Sequence, residues 1–302
     1  MPLGYRQFKT LLAALLLLAN PLHTFAAKAA ASDSVITGAG AHFAWVIFDA
    51  LKPDLERITG RRFDLHGLNS GLGLGCKAGI KLARQNSPEH QTFGFVCCPL
   101  SKEELAEKGL VLYPIALEPI LILVNEDNPV TGLSSAQVRA IFRGEITNWK
   151  EVGGRDQAIA VVTRLHCKKR PGHWKTILPS DRDFREQRLN ASSAAEMVKR
   201  VSAFPSAIGH IGSTWDFGPQ SRVRPLRIDG FEPTAENLKT HDYPFFRQLS
   251  AVTDHSPSAA VLRAIHEVQH GKAMRVVARR YQLLPLAGDG QQHESPAPLA
   301  RR

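Results

Sequence analysis

The chain has 302 residues, with 38 basic against 28 acidic residues for a formal charge of +10, and four cysteines. That length is ample for two α/β lobes, each with its own core. The positive balance favours anionic ligands, yet no aromatic-plus-basic recognition motif accompanies it, which argues against nucleic acid.

In chain order, Arg6 and Lys9 precede "LLAALLLLAN", and small residues follow around Ala26 and Ala27. This is the order of a secretory signal peptide, expected over residues 1–26. Its removal takes away one Arg, one Lys and no acid, lowering the formal charge by two. No later stretch of about 18 apolar residues suggests a membrane span. An exported chain meets an oxidising compartment, where unprotected cysteine pairs become disulfides. Four cysteines allow three pairings, and spacing does not choose among them.

Short apolar runs of β type alternate with helical ones, which argues for α/β layers. "RRFDLHG", "TFGFVC", "LVLYPIA", "PILILVN", "AIAVVT" and "AIGHIG" read as strands. "AHFAWVIFDALKPDLERITG", "LSSAQVRAIFRG" and "SAAEMVKRVSAF" carry apolar residues at helical spacing, the second capped by Ser134 or Ser135. "SPSAAVLRAIHEVQHG" and "KAMRVVARRYQLL" form a helical pair broken at Gly271. The residues from 286 to 302 read as a disordered tail. Four turns, "GAGAHF", "NSGLGLGCKAG", "CCPLS" and "TRLHCKKRPGHW", each lead toward a helix, where open α/β sheets bind ligands.

The stretch "LILVNEDNPVTGLSSAQVRAIFRGEITNWKEVGG" resembles the periplasmic phosphate-binding proteins that feed ABC transporters, as do "AIGHIG" and "VRPLRIDGFEPTAENLKTHDYPFFRQL" farther on. The resemblance covers roughly residues 36 to 285 in order. It implies a type II periplasmic binding protein without catalysis, an α/β molecule of two lobes with the ligand cleft between them. One lobe is expected over 34–120 plus 249–285 and the other over 121–248. A monomer is expected, and a small inorganic ligand passed to an ABC permease or a membrane sensor. No HExxH, GxSxG, P-loop or CxxCH motif contradicts a binding role.

The resemblance also places the binding loops, and there the sequence departs from the family. After Ala41 of "GAGA" stands His42, where a Thr is usual. "GCKAGIK" puts Cys76, followed by Lys77, where the family has a serine hydroxyl. "FGFVCCPL" puts Cys97 in the place of a carboxylate, with Cys98 beside it. The fourth loop keeps Arg164 but replaces a hydroxyl-rich run with His166, Cys167 and Lys168.

Every cysteine thus falls in an expected cleft loop. A thiol is a poor partner for phosphate, and a thiolate repels it. Thiolates converging with imidazoles suit Cu(I), Zn(II) or a trivalent metalloid such as arsenite. The expected ligands to a bound soft metal or metalloid are Cys76, Cys97 and Cys167, with Cys98 and His166 as further candidates and Arg164 for any oxyanion part. Three alternatives stand beside this. The cysteines can be disulfide staples, although a Cys97–Cys98 bridge would be strained. The ligand can be phosphate or a related oxyanion. Or the chain can be a thiol redox protein, for which no CxxC motif speaks. His42 and His166 can be polar loop residues, Trp174 packing, and Lys168, Lys169 and Arg170 a solvated run.

Overall fold

The computed structural model describes residues 34–66, 75–168, 170 and 173–286. The leader expected over 1–26, Lys169 and the expected tail beyond Leu286 lie outside the described residues, as do residues 67–74 of the second glycine-rich loop.

The first part of the chain builds β1 (Val35–Gly40), α1 (Ala50–Thr59), β2 (Arg62–His66), α2 (Gly75–Ala83), β3 (Thr92–Val96) and α3 (Lys102–Lys108). Next comes the long strand β4 (Val111–Asn125), followed by β5 (Gly132–Leu133), α4 (Ser135–Arg143), β6 (Ala160–Thr163) and β7 (Leu189–Asn190). Then follow α5 (Ala194–Ala203), β8 (Ala207–Gly212), β9 (Val223–Pro225), β10 (Arg227–Ile228) and α6 (Ala235–Lys239). The chain closes with β11 (Phe246–Thr253), α7 (Ala259–His270), α8 (Lys272–Tyr281) and β12 (Leu284–Pro285). Helix α4 starts at Ser134, whose hydroxyl accepts from the Gln137 N–H while the Gln137 side chain accepts from the Ser134 N–H.

The main sheet runs β2–β1–β3–β11–β4–β8–β6–β7, with β9 and β12 also paired to β4. Two expected strands, "LVLYPIA" and "PILILVN", are one. Proline lacks an N–H for the ladder, so Pro114 and Pro119 are unusual inside a paired strand. The ladder absorbs Pro114 at a bulge: Leu249 pairs with Ala116 and Ser250 with Pro114, so Ile115 has no partner on β11.

The fold has two lobes. One apolar core gathers side chains from Ile36 to Ala116 and from Leu249 to Leu283. The second half of β4 is buried on both faces, which accounts for its unbroken apolar run. Ile120, Ile122 and Val124 enter one core, while Leu121 and Leu123 enter another on the opposite face. Partners of β4 change accordingly, from β11 up to Pro119 to β8 from Ile120 onward. Among the described residues no helix is long and apolar enough to cross a membrane.

Candidate functional site

Helix α2 lies directly on β3 because two glycines face each other. A β-carbon at Gly94 would stand 2.1 Å from the Gly79 carbonyl oxygen, and one at Gly79 2.7 Å from the Phe95 oxygen. The contact brings the first turn of α2 over the end of β3. Cys76 Sγ lies 3.6 Å from Cys97 Sγ, and the Cys97 N–H donates to Cys76 Sγ at 3.3 Å. Cys98 Sγ is 4.0 Å from Cys97 Sγ. These separations are far beyond a covalent S–S bond of about 2.05 Å, and all four cysteines are free thiols. They are close to the edge of a tetrahedral thiolate site, roughly 3.8 Å for a metal–sulfur bond of about 2.3 Å.

Cys167 arrives from the other side. It belongs to the loop after β6, yet its side chain packs against the core that holds Cys76 and Cys97. The sulfurs of Cys76, Cys98 and Cys167 lie within 4.8 Å of one another, and those of Cys97 and Cys98 lie within the same distance of a ring nitrogen of His166. His166 Nδ1 is 3.2 Å from the Arg164 carbonyl; donation there leaves Nε2 as the free lone pair. Hydrogen bonds from Cys76 and Cys98 pull the Cys167 thiol down to about 4. The same bond to Cys167, with those to Cys76 and Cys97, pushes Cys98 well above the usual thiol range. The arrangement favours negative charge at Cys167 over Cys98.

These groups border a cavity of about 60 Å³. Of the residues expected from the sequence, Ala41, His42, Cys76, Cys97, Arg164, His166 and Cys167 line it. Cys98 is fully buried behind the wall, and Lys77 faces a separate outer groove. The Ala41 N–H donates to the Phe95 carbonyl at 3.2 Å and is not available to a ligand. The His42 ring sits 4.8 Å from that of Trp215; burial lowers its pKa, and its Nδ1 has no hydrogen-bond partner. Arg164 Nε donates to the Ser192 carbonyl at 3.3 Å, and burial lowers the guanidinium's pKa.

The cavity has further walls that sequence reasoning did not flag: Arg247, Thr214, Trp215 and His173. Arg247 forms a buried ion pair with Glu118, which also accepts from the Thr214 hydroxyl and, at 2.8 Å, from the Thr214 N–H. Burial alone would lower the Arg247 pKa, but Glu118 prevails and raises it. A signal was present: Glu118 in "IALEPILIL" and Arg247 in "FFRQLSAV" are lone charges in apolar runs, which calls for a buried partner. His173 starts a short 3-10 turn and is buried. It stacks edge-on between His166 and His210, at 4.4 and 5.4 Å.

A model of the PBP superfamily domain matches residues 26–267, most of the chain. The chain belongs to the PBP superfamily. Within it, this PBP chain is 32% identical over 147 residues to the phosphate-binding protein PstS of Bacillus subtilis, covering 48% of this chain and 47% of that one. With PstS of Borreliella burgdorferi the identity is 26% over 163 residues, covering 51% and 58%. The chain thus spans about half the length of the curated relatives it matches. In structure it is similar to a Clostridium perfringens substrate-binding protein assigned to a phosphate ABC transporter and solved with bound phosphate. The TM-score is 0.70 at 22% identity, over 84% of this chain and all of that one. An ABC-type phosphate transport receptor from Vibrio cholerae gives 0.61 at 24% identity, over the same shares. These likenesses show the two-lobed α/β fold.

Proposed function

We propose that this PBP chain is an exported, periplasmic solute-binding protein whose lobes, 34–120 with 249–285 and 121–248, close on a thiophilic metal or metalloid ion. It binds without catalysis and passes the ion to an ABC permease or a membrane sensor. Cys76, Cys97 and Cys167 hold the ion, Cys98 and His166 complete the set, and Arg164 orients any oxyanion part. One observation carries this reading: the four thiols of the chain form one cluster, drawn from three separate segments, and Cys76, Cys97 and Cys167 of it line a cavity. Soft donors in that number suit a soft ion, and a chelated ion contributes to stability as well.

Phosphate is the second reading, favoured by the relatives' names and by Arg164 and Arg247 at the cavity. Against it stands the use already made of the site's donors. The Ala41 N–H serves Phe95, the Cys97 N–H serves Cys76, and both Thr214 donors serve Glu118, which also neutralises Arg247. A dehydrated oxyanion needs such donors free.

The test is calorimetric titration of the reduced, metal-free protein with Zn(II), arsenite and phosphate, beside native mass spectra. A soft ion that stays bound in the native spectrum, leaves on denaturation and is lost in Cys76→Ser and Cys97→Ser is expected. Unchanged soft-ion affinity in both variants overturns the reading, and tight phosphate binding by the reduced protein establishes the alternative.

A further inference from the structure

The face of α2 opposite the thiols is basic. Cys76, Gly79, Ile80 and Ala83 point inward, whereas Lys77 and Lys81 are exposed one turn apart, with Arg84 a turn beyond. They border an outer groove of about 890 Å³ together with Lys108, Lys168 and Arg170. Glu104, the acid among its walls, is committed to Arg170 through two hydrogen bonds of 2.6 and 3.1 Å. Lys168 pairs with Asp181 at 2.7 Å and Lys108 lies 3.6 Å from Glu107. Lys77, Lys81 and Arg84 have no ion pair among the described residues. One residue belongs to both spaces: Cys167 lines the inner cavity and the outer groove.

A bare ion has no use for a room of that size, which is in the range of pockets for whole small molecules, about 300–1,000 Å³. A cluster of uncompensated cations beside a thiol calls for a ligand with several negative charges and a soft centre. Resting on the thiophilic reading above, we infer that the groove is a docking site for the ion's carrier: an anionic complex of the metal or metalloid with small carboxylate-bearing thiols. The carboxylates lie against Lys77, Lys81 and Arg84, and the soft centre faces Cys167. Transfer is ligand exchange. Each protein sulfur that bonds to the centre displaces one carrier sulfur, and any proton on the entering sulfur passes to the leaving one. No electrons change hands, and no oxidant is needed.

The experiment presents trivalent arsenic to the reduced full chain in two forms, as its mercaptosuccinate complex and as its uncharged 2-mercaptoethanol complex. Stopped-flow absorbance of the arsenic–thiolate bonds gives the loading rates. Electrostatic docking raises association rates by about 10–10³-fold and falls steeply with ionic strength. Faster loading from the anionic complex by at least about ten-fold is therefore expected at low salt, shrinking at high salt. In Lys81→Glu/Arg84→Glu the preference disappears, while equilibrium binding from the uncharged complex is retained. Equal rates in the wild-type protein, or a preference untouched by the double variant, overturn the inference. If neither complex loads, it is the thiophilic reading that fails. Arsenic-free mercaptosuccinate then tests the groove alone: binding measured by calorimetry in the wild-type protein and lost in the double variant keeps it as an anion site, and no binding removes it.

Discussion

Cys167 adopts φ 52°, a left-handed conformation that disfavours a residue with a β-carbon by roughly 1–2 kcal/mol. A glycine would occupy that position without strain, so the thiol is retained against the local preference of the backbone. Cys167→Gly removes the strain and the sulfur together. We expect its urea stability to stay within about 1 kcal/mol of wild type, since relief of strain offsets the added freedom of the unfolded chain. Soft-ion affinity, measured by competition with a chromogenic chelator, should fall by more than roughly ten-fold. A large loss of stability instead would make Cys167 a packing residue for the core it touches. The ring of His166 reaches the thiols, and His42 lines the same cavity, so neither is a solvated loop residue.

At the level of elements, the position of Cys76 depends on how closely α2 approaches β3. Gly94→Ala places a methyl group against the Gly79 backbone, and overpacking of this kind costs about 1–3 kcal/mol. The helix must shift, so Cys76 should separate from Cys97. Urea unfolding measures the first effect, and the weakened thiolate-to-metal absorbance of the Cd(II)-loaded protein measures the second. An unchanged absorbance would show that the loop holds Cys76 without help from the glycine contact. Helices α4, α5, α7 and α8 were legible because their apolar residues repeat at helical spacing and because Ser134 and Gly271 mark boundaries. Strand β11 was not: it is buried along its whole length and carries Arg247, Gln248 and Ser250 inside, so no period-two pattern survives. The convergence of the thiols could be anticipated because each cysteine follows a strand or opens a helix. The Arg247–Glu118 pair joins residues far apart in the chain, and no spacing rule links them.

For the molecule as a whole, His173 and His210 are buried and held neutral, His210 at about 3, with burial the leading cause and His166 next. Each titrates near 6.5 in the unfolded chain. Below that pH the unfolded state takes up protons that the folded state refuses, so stability falls as the solution is acidified. The loss approaches 1.4 kcal/mol per pH unit per histidine. Between pH 7 and 5, His210→Gln should lose roughly 2 kcal/mol less than the wild-type protein in urea melts. Identical pH dependence of the two would show that His210 is protonated or exposed in the folded state. Arg170 ties the loop after β6 to α3, its guanidinium gripping Glu104.

The unbroken run of β4 bears on how such a molecule opens. The cores on either side of Pro119 share the continuous strand β4, whose partners change there with no slack segment between Val111 and Asn125, and β11 crosses beside it from Phe246 to Leu249. Parting Cys167 from Cys76 therefore means twisting a paired strand, in the manner of a leaf spring. A restoring torque that grows with the angle resists any such parting of the thiols.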